Sequence, residues 1–174
     1  MALRSKKNIA EIEYQEALDQ REERFRTLIQ YSADAIQLLS ADGHVLYSSD
    51  SVERVLGYKP EELQGTSPEG FIHPDDNSLF MEKFLSLLQM PGEQISIEYR
   101  VKHKNGSWVW IEATGTNYLH DPRIQAIVGN FRNITERKYQ EERQQLLNAV
   151  SEKLASSLDH KLTLQEIAQG AGRP

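Results

Sequence analysis

The 174 residues, 39% hydrophobic and without a single Cys, suffice for one core plus extensions and exclude disulfides, thiolate metal sites and cysteinyl chemistry, as a reducing cytoplasm allows. The net charge of −6 arises wholly in the centre, because residues 1–30 and 136–174 each carry six basic and six acidic side chains; with no basic stripe, no nucleic-acid partner is expected. No apolar run approaches the roughly 20 residues of a membrane span and Met1 to Ala10 lacks a signal peptide's apolar stretch, so no membrane partner and a cytoplasmic location are expected.

From about Ile9 to Gln30 the chain lacks Gly and Pro and places Tyr14, Leu18, Phe25 and Leu28 at heptad-like spacing, which predicts a helix. Ala35–Ser40 and His44–Ser49 flank the turn signal Ala41-Asp42-Gly43 and should pair as a hairpin. Short helices follow. Ser49-Asp50 can cap a turn holding Val52, Val55 and Leu56, which Gly57 stops. Pro60 and Pro68 each open a brief helical piece, and His73-Pro74-Asp75-Asp76 opens a longer one that Pro91-Gly92 ends.

Strict alternation over Ile95–Lys102 puts Ile95, Ile97, Tyr99 and Val101 on one strand face, and Lys104-Asn105-Gly106 turns the chain into a second strand over Trp108–Gly115. In that strand Trp108 and Trp110 share the face opposite Val109 and Ile111, and the amino-terminal helix is the candidate to cover them. A last strand runs through Ile127–Phe131 and passes into a charged helix with no Gly or Pro between Phe131 and Glu136. Asn133 and Glu136 have capping-box spacing, and Leu147, Val150 and Leu154 form one stripe of that helix. Each heptad signal spans two or three repeats, which suits a helix packed on its own domain as well as a dimeric coiled coil.

Ala41-Asp42-Gly43, Ser51-Val52-Glu53-Arg54-Val55-Leu56-Gly57-Tyr58, Pro60-Glu61-Glu62-Leu63, His73-Pro74-Asp75-Asp76, Glu98-Tyr99-Arg100, Asn105-Gly106-Ser107-Trp108 and Ile134-Thr135-Glu136-Arg137 stand in this order. Together they resemble a PAS domain with its closing PAC-type motif, of a bacterial multidomain signalling protein. The family usually has Asp before Ile-Thr, where this chain has Asn133, so a salt bridge from that position is lost while a helix cap is kept. The resemblance implies an α+β fold: a five-stranded antiparallel sheet with short helices on one face, flanked by amino- and carboxy-terminal helices. The organisation expected is a linker helix over 1–30, the PAS domain over 31–135, a signalling helix over 136–158 and, over 159–174, the truncated start of a following domain. Leu154-Ala155-Ser156-Ser157-Leu158-Asp159 and the residues after it resemble a GAF opening, and a first helix of a helix-turn-helix is the competing reading.

The expected role is a sensory or regulatory input domain that detects a small ligand or partner and relays a change through the flanking helices to an effector such as a histidine kinase. The alternatives are a ligand-free dimerisation and relay module or the input domain of a transcription regulator. A homodimer through the flanking helices and a carboxy-terminal effector are the partners implied. Alternation places Ile36, Leu38, Val55, Phe80, Phe84, Ile97, Tyr99, Ile111, Ala113, Gly115 and Gly129 toward a cavity. That lining either admits a small apolar ligand or is a filled core in which Ala and Gly merely make room for Phe rings. The signal junction comprises Trp110, Asn133, Ile134, Thr135 and Glu136.

The cofactor is unknown. Flavin photoreceptors of the family need a Cys for their adduct, and the haem-binding oxygen sensors use a His on the long helix, whereas Asn77–Gln89 contains none. His73 reads as a cap, and His44, His103, His120 and His160 form no ligand-spaced cluster, so no metal is expected. Without a phosphate loop, a nucleophile paired with a base, or metal-spaced carboxylates, catalysis is not expected of this segment.

Overall fold

The computed structural model describes residues 32–170, with side chains to Leu154, together with scattered helical positions between residues 15 and 29. The heptad positions expected in the amino-terminal helix, and its cover over Trp108 and Trp110, lie outside the described residues.

Two units are distinguished, Met1–Ile134 and Thr135–Pro174. In the first, β1 (Ala35–Leu39) and β2 (Val45–Ser48) form the expected hairpin, and β3 (Gln94–Lys102), β4 (Trp108–Asn117) and β5 (Ile127–Asn133) complete an antiparallel sheet of order β2-β1-β5-β4-β3. Between the hairpins lie α1 (Ser51–Leu56), α2 (Pro60–Leu63), a 3₁₀ turn (Pro68–Phe71) and α3 (Pro74–Leu88). The order of elements is the expected one and the fold is α+β.

Local chemistry explains the short helices, with one correction. Gly57 ends α1 at φ +78°, where L side chains are strained, and a Cβ there would also stand 2.7 Å from the His103 ring. Ser49 and Asp50 do not cap α1 through their side chains. Ser49 is buried instead, and its Oγ accepts from the Ile36 amide at 2.9 Å, so strand pairing claims the hydroxyl. His73 caps α3 as expected, its Nδ1 accepting from the Asp75 amide at 3.2 Å.

One face of the sheet carries the core. Ala35, Leu39, Tyr99, Val101, Val109, Ile111, Ile127 and Phe131 from the strands pack with Val52, Val55, Leu56, Leu63 and Leu87 from the helices. Burying each large side chain in such a cluster contributes on the order of 1.5–3 kcal/mol. The second unit is α4, Thr135–Gly170. It runs past residue 158 because nothing between Thr135 and Gln169 is Gly or Pro, so the sequence boundary proposed there is not a break in the helix.

Candidate functional site

α3 crosses the sheet and is fastened at both ends. At its start Asp76 accepts three hydrogen bonds from Arg100 of β3: from the backbone amide at 2.9 Å, from Nε at 2.9 Å and from Nη2 at 2.7 Å. The Arg100 guanidinium holds the Asp76 carboxyl below the usual carboxylate range, and the Arg100 charge is strengthened in return. The His73 amide donates to the Arg100 carbonyl at 2.9 Å, closing the same junction from the backbone side. At the other end Asn117, 2% exposed, donates its amide to the Leu87 carbonyl at 2.9 Å and to that of Leu88 at 3.3 Å.

Beneath α3 the strand register places two glycines side by side. Gly115 on β4 is opposite Gly129 on β5; the same cross-strand row continues to Ile95 on β3 and Gln37 on β1. Residues directly opposite in antiparallel strands point to one face, so this row has side chains at its ends and none in its middle. The two glycines are not equivalent. A Cβ on Gly115 would lie 2.9 Å from Leu87 Cδ2, so the helix has already filled that place, whereas a Cβ on Gly129 would meet nothing closer than the Gln37 carbonyl oxygen at 3.7 Å.

The result is a cavity of about 80 Å³ between α3 and the sheet, with a second of about 30 Å³ sharing Gln37, Pro68, Tyr99 and Phe131 with it. Of the expected lining residues, Phe80, Phe84, Ile97, Tyr99, Ala113, Gly115 and Gly129 come together around the larger space, and Ile111 lines the smaller. Phe80 packs on Phe84 with ring centroids 6.1 Å apart and on Tyr99 at 5.2 Å. Burial pushes the Tyr99 phenol upward, so it stays a neutral donor.

Ile36, Leu38 and Val55 line neither space. In β1 the pairs Ala35–Phe131, Gln37–Gly129 and Leu39–Ile127 set the inward face, so Ile36 and Leu38 point the other way. Val55 is buried in the core under α1, away from the opening. Sequence reasoning assigned the bulkier alternate set of β1 to the inside and so missed Gln37 and Leu39. It also passed over Leu87 and Ile95, which lie on faces it had otherwise read correctly, and Ile127 and Phe131, which share the alternation of Gly129.

Of the junction residues, Trp110 lies directly opposite Arg100 on the outer face, with the guanidinium carbon 5.3 Å from its ring centroid. Its carbonyl accepts from the Ile134 amide at 2.8 Å, one residue past the end of β5. Asn133 closes β5, and Thr135 and Glu136 begin α4. No group of His, Asp and Glu among the described residues could hold a metal ion.

A family model described as "PAS fold" matches residues 45–131, half of the chain. The chain belongs to the PAS fold family. The chain is 28% identical over 155 residues to the sensor histidine kinase TmoS of Ectopseudomonas mendocina, a match covering 87% of the chain and 15% of that protein. It is 34% identical over 79 residues to the aryl hydrocarbon receptor nuclear translocator homolog of Drosophila melanogaster, covering 45% and 12% respectively. The chain therefore spans 15% or less of the length of these relatives. Among solved structures, the PAS domain of a Colwellia psychrerythraea protein matches with TM-score 0.57 and 25% identity over 69% of this chain and 98% of its own. That of an HTR-like protein from Haloarcula marismortui, at 22% identity and TM-score 0.59, covers 70% of this chain and 98% of its own and supports the fold. Membership in this family and similarity to a sensor kinase support a sensory or regulatory input domain. Among the described residues no helix is long and apolar enough to cross a membrane.

Proposed function

We propose that this PAS domain is the input of a signal-transduction protein, taking a small, mainly apolar guest into the cavity under α3 and relaying its presence through α4 to an effector such as a histidine kinase. The observation that carries the reading is the paired Gly115 and Gly129 floor, half of which stays open beneath a helix fastened at both ends. A structural core gains nothing from an unfilled space, since a void forfeits the dispersion contacts of the atoms around it. A guest restores those contacts.

A second reading, a ligand-free dimerisation and relay module, is favoured by α4, where Leu146, Leu147, Val150 and Leu154 are all exposed. Native mass spectrometry of the protein as purified separates the two. The sensory reading expects a bound small molecule that denaturation releases; the relay reading expects two chains and no guest. An apo monomer that no small molecule stabilises would overturn both.

A further inference from the structure

We infer that the guest is a small neutral hydroxyl compound, an alcohol whose oxygen engages Tyr99 and Gln37, and not a plain hydrocarbon or an anion. This deepens the sensory reading above and rests on it. The cavity is otherwise walled by apolar groups, so its few polar atoms decide selectivity.

Tyr99 is 7% exposed, and its hydroxyl has no hydrogen-bond partner among the described residues. Tyr99 lines both spaces, and its oxygen is not among the wholly enclosed unpaired side-chain atoms of those residues. A buried hydroxyl without a partner costs stability, and a guest oxygen would relieve that cost. Gln37 supplies the complement. Its Nε2 donates to Ser48 Oγ at 3.1 Å, which leaves Oε1 as an acceptor at the other end of the glycine row. One side chain thus offers a proton and the other accepts one, a pair that an alcohol can answer with its single oxygen.

Charge is disfavoured by the same inventory. The ionic group on the lining is Lys83, whose side chain is 42% exposed and whose Nζ stands 3.6 Å from Glu82 Oε1 on its own helix. Its charge is shared with Glu82 and open to solvent, and a carboxylate placed among the apolar groups would lose its hydration. Size sets the rest. A volume of about 80 Å³ is roughly half the ~150 Å³ that admits benzene in an engineered apolar cavity, so a guest of about three to four heavy atoms fits without rearrangement. Affinity for so few atoms is on the order of tens of micromolar at its tightest.

The test titrates the isotope-labelled full chain with 1-propanol, its near-isostere 1-chloropropane, and propionate, following amide shifts at Gln37, Ala113, Gly115 and Gly129. The expectation is saturation by 1-propanol at about a tenfold lower concentration than by 1-chloropropane, and no saturable shifts there with propionate. Tyr99→Phe should bring the alcohol to the level of the chloride while leaving chloride binding unchanged, and Gln37→Leu should act in the same direction. Equal affinity of the unaltered protein for alcohol and chloride would overturn the hydroxyl assignment and leave the sensory reading standing. A preference that survives both substitutions would overturn the role of these two residues. Failure of all three probes to shift these amides would overturn the proposal, while a small molecule released on denaturation in native mass spectrometry would leave the sensory reading standing.

Discussion

Replacing either central glycine by alanine adds the same methyl group to the same row of the sheet, yet the two variants should change stability in opposite directions. At Gly115 the new Cβ would sit 2.9 Å from Leu87 Cδ2. Carbon pairs rest at about 3.5–4.0 Å, so roughly 0.6–1.1 Å must be recovered. The backbone of Leu87 cannot easily yield, because Asn117 holds its carbonyl at 2.9 Å, and the side chain is itself 4% exposed. Relief has to come from the leucine rotamer, and overpacking of this kind costs about 1–3 kcal/mol. Set against it is a gain of about 0.4–1 kcal/mol from the smaller conformational freedom of alanine in the unfolded chain. Gly115→Ala should therefore lose about 0.5–2 kcal/mol. Gly129→Ala carries the gain without the collision, since its nearest neighbour is the Gln37 oxygen at 3.7 Å, and should be more stable by about 0.4–1 kcal/mol. Urea unfolding of the full chain reads both: at a slope of about 2 kcal/mol per molar, midpoints should move apart by about 0.5 M or more with the slope unchanged. Midpoints that move the same way would refute the account of one glycine filled and the other open.

Asp76, held below its unfolded value of about 3.9 by Arg100, contributes stability that is fully present above that value and is lost as pH falls through the lower folded one. Asp76→Asn should flatten the acid limb of stability measured by urea unfolding between pH 6 and pH 3, and an unaltered limb would count against the pairing. Arg100→Lys keeps the charge but loses the two-pronged contact with Asp76 and the stacking on Trp110, and should cost about 1–2 kcal/mol in the same assay. Asn117→Ala leaves the Leu87 and Leu88 carbonyls and the Leu119 amide without their side-chain partner. It should cost about 2–4 kcal/mol and raise amide exchange at the carboxy-terminal end of α3 before that of β4.

Turn residues and alternation made most of the fold legible before any coordinates. Ala41-Asp42-Gly43 and Lys104-Asn105-Gly106 bracket hairpins, and prolines at 60, 68 and 74 mark helical starts, because each signal is local to a few residues of backbone. Parity was equally legible where a strand alternates cleanly, as at Ile95, Ile97 and Tyr99. It failed at β1, where Ala-Ile-Gln-Leu-Leu offers apolar groups on both faces and the inward set contains a glutamine. What decides that strand is its pairing with β5, a contact about 90 residues away along the chain that composition cannot express. The same holds for the clasp on α3. Asp76 reads as part of a helix start and Asn117 carries no signal, since their partners Arg100 and Leu87 are neighbours only after the sheet has formed.

How a guest would be felt outside the cavity follows from where α3 is tied. Its start is bonded to Arg100, which lies across the strand pair from Trp110, and the Trp110 carbonyl receives the amide of Ile134, the residue before α4 begins. Under the proposed sensory function, a displacement of α3 would bear through these bonds on the last bonded residue of the sheet. The energy available is limited by the guest. About four heavy atoms at a ceiling of about 1.5 kcal/mol each supply at most about 6 kcal/mol, and only the part that differs between two arrangements of the domain can shift them. Moving a population from 1:99 to 99:1 takes about 5.5 kcal/mol, most of that ceiling. A domain reading so small a molecule must therefore rest close to balance. The half-filled glycine row is consistent with this: Leu87 fills one side and the other stays open.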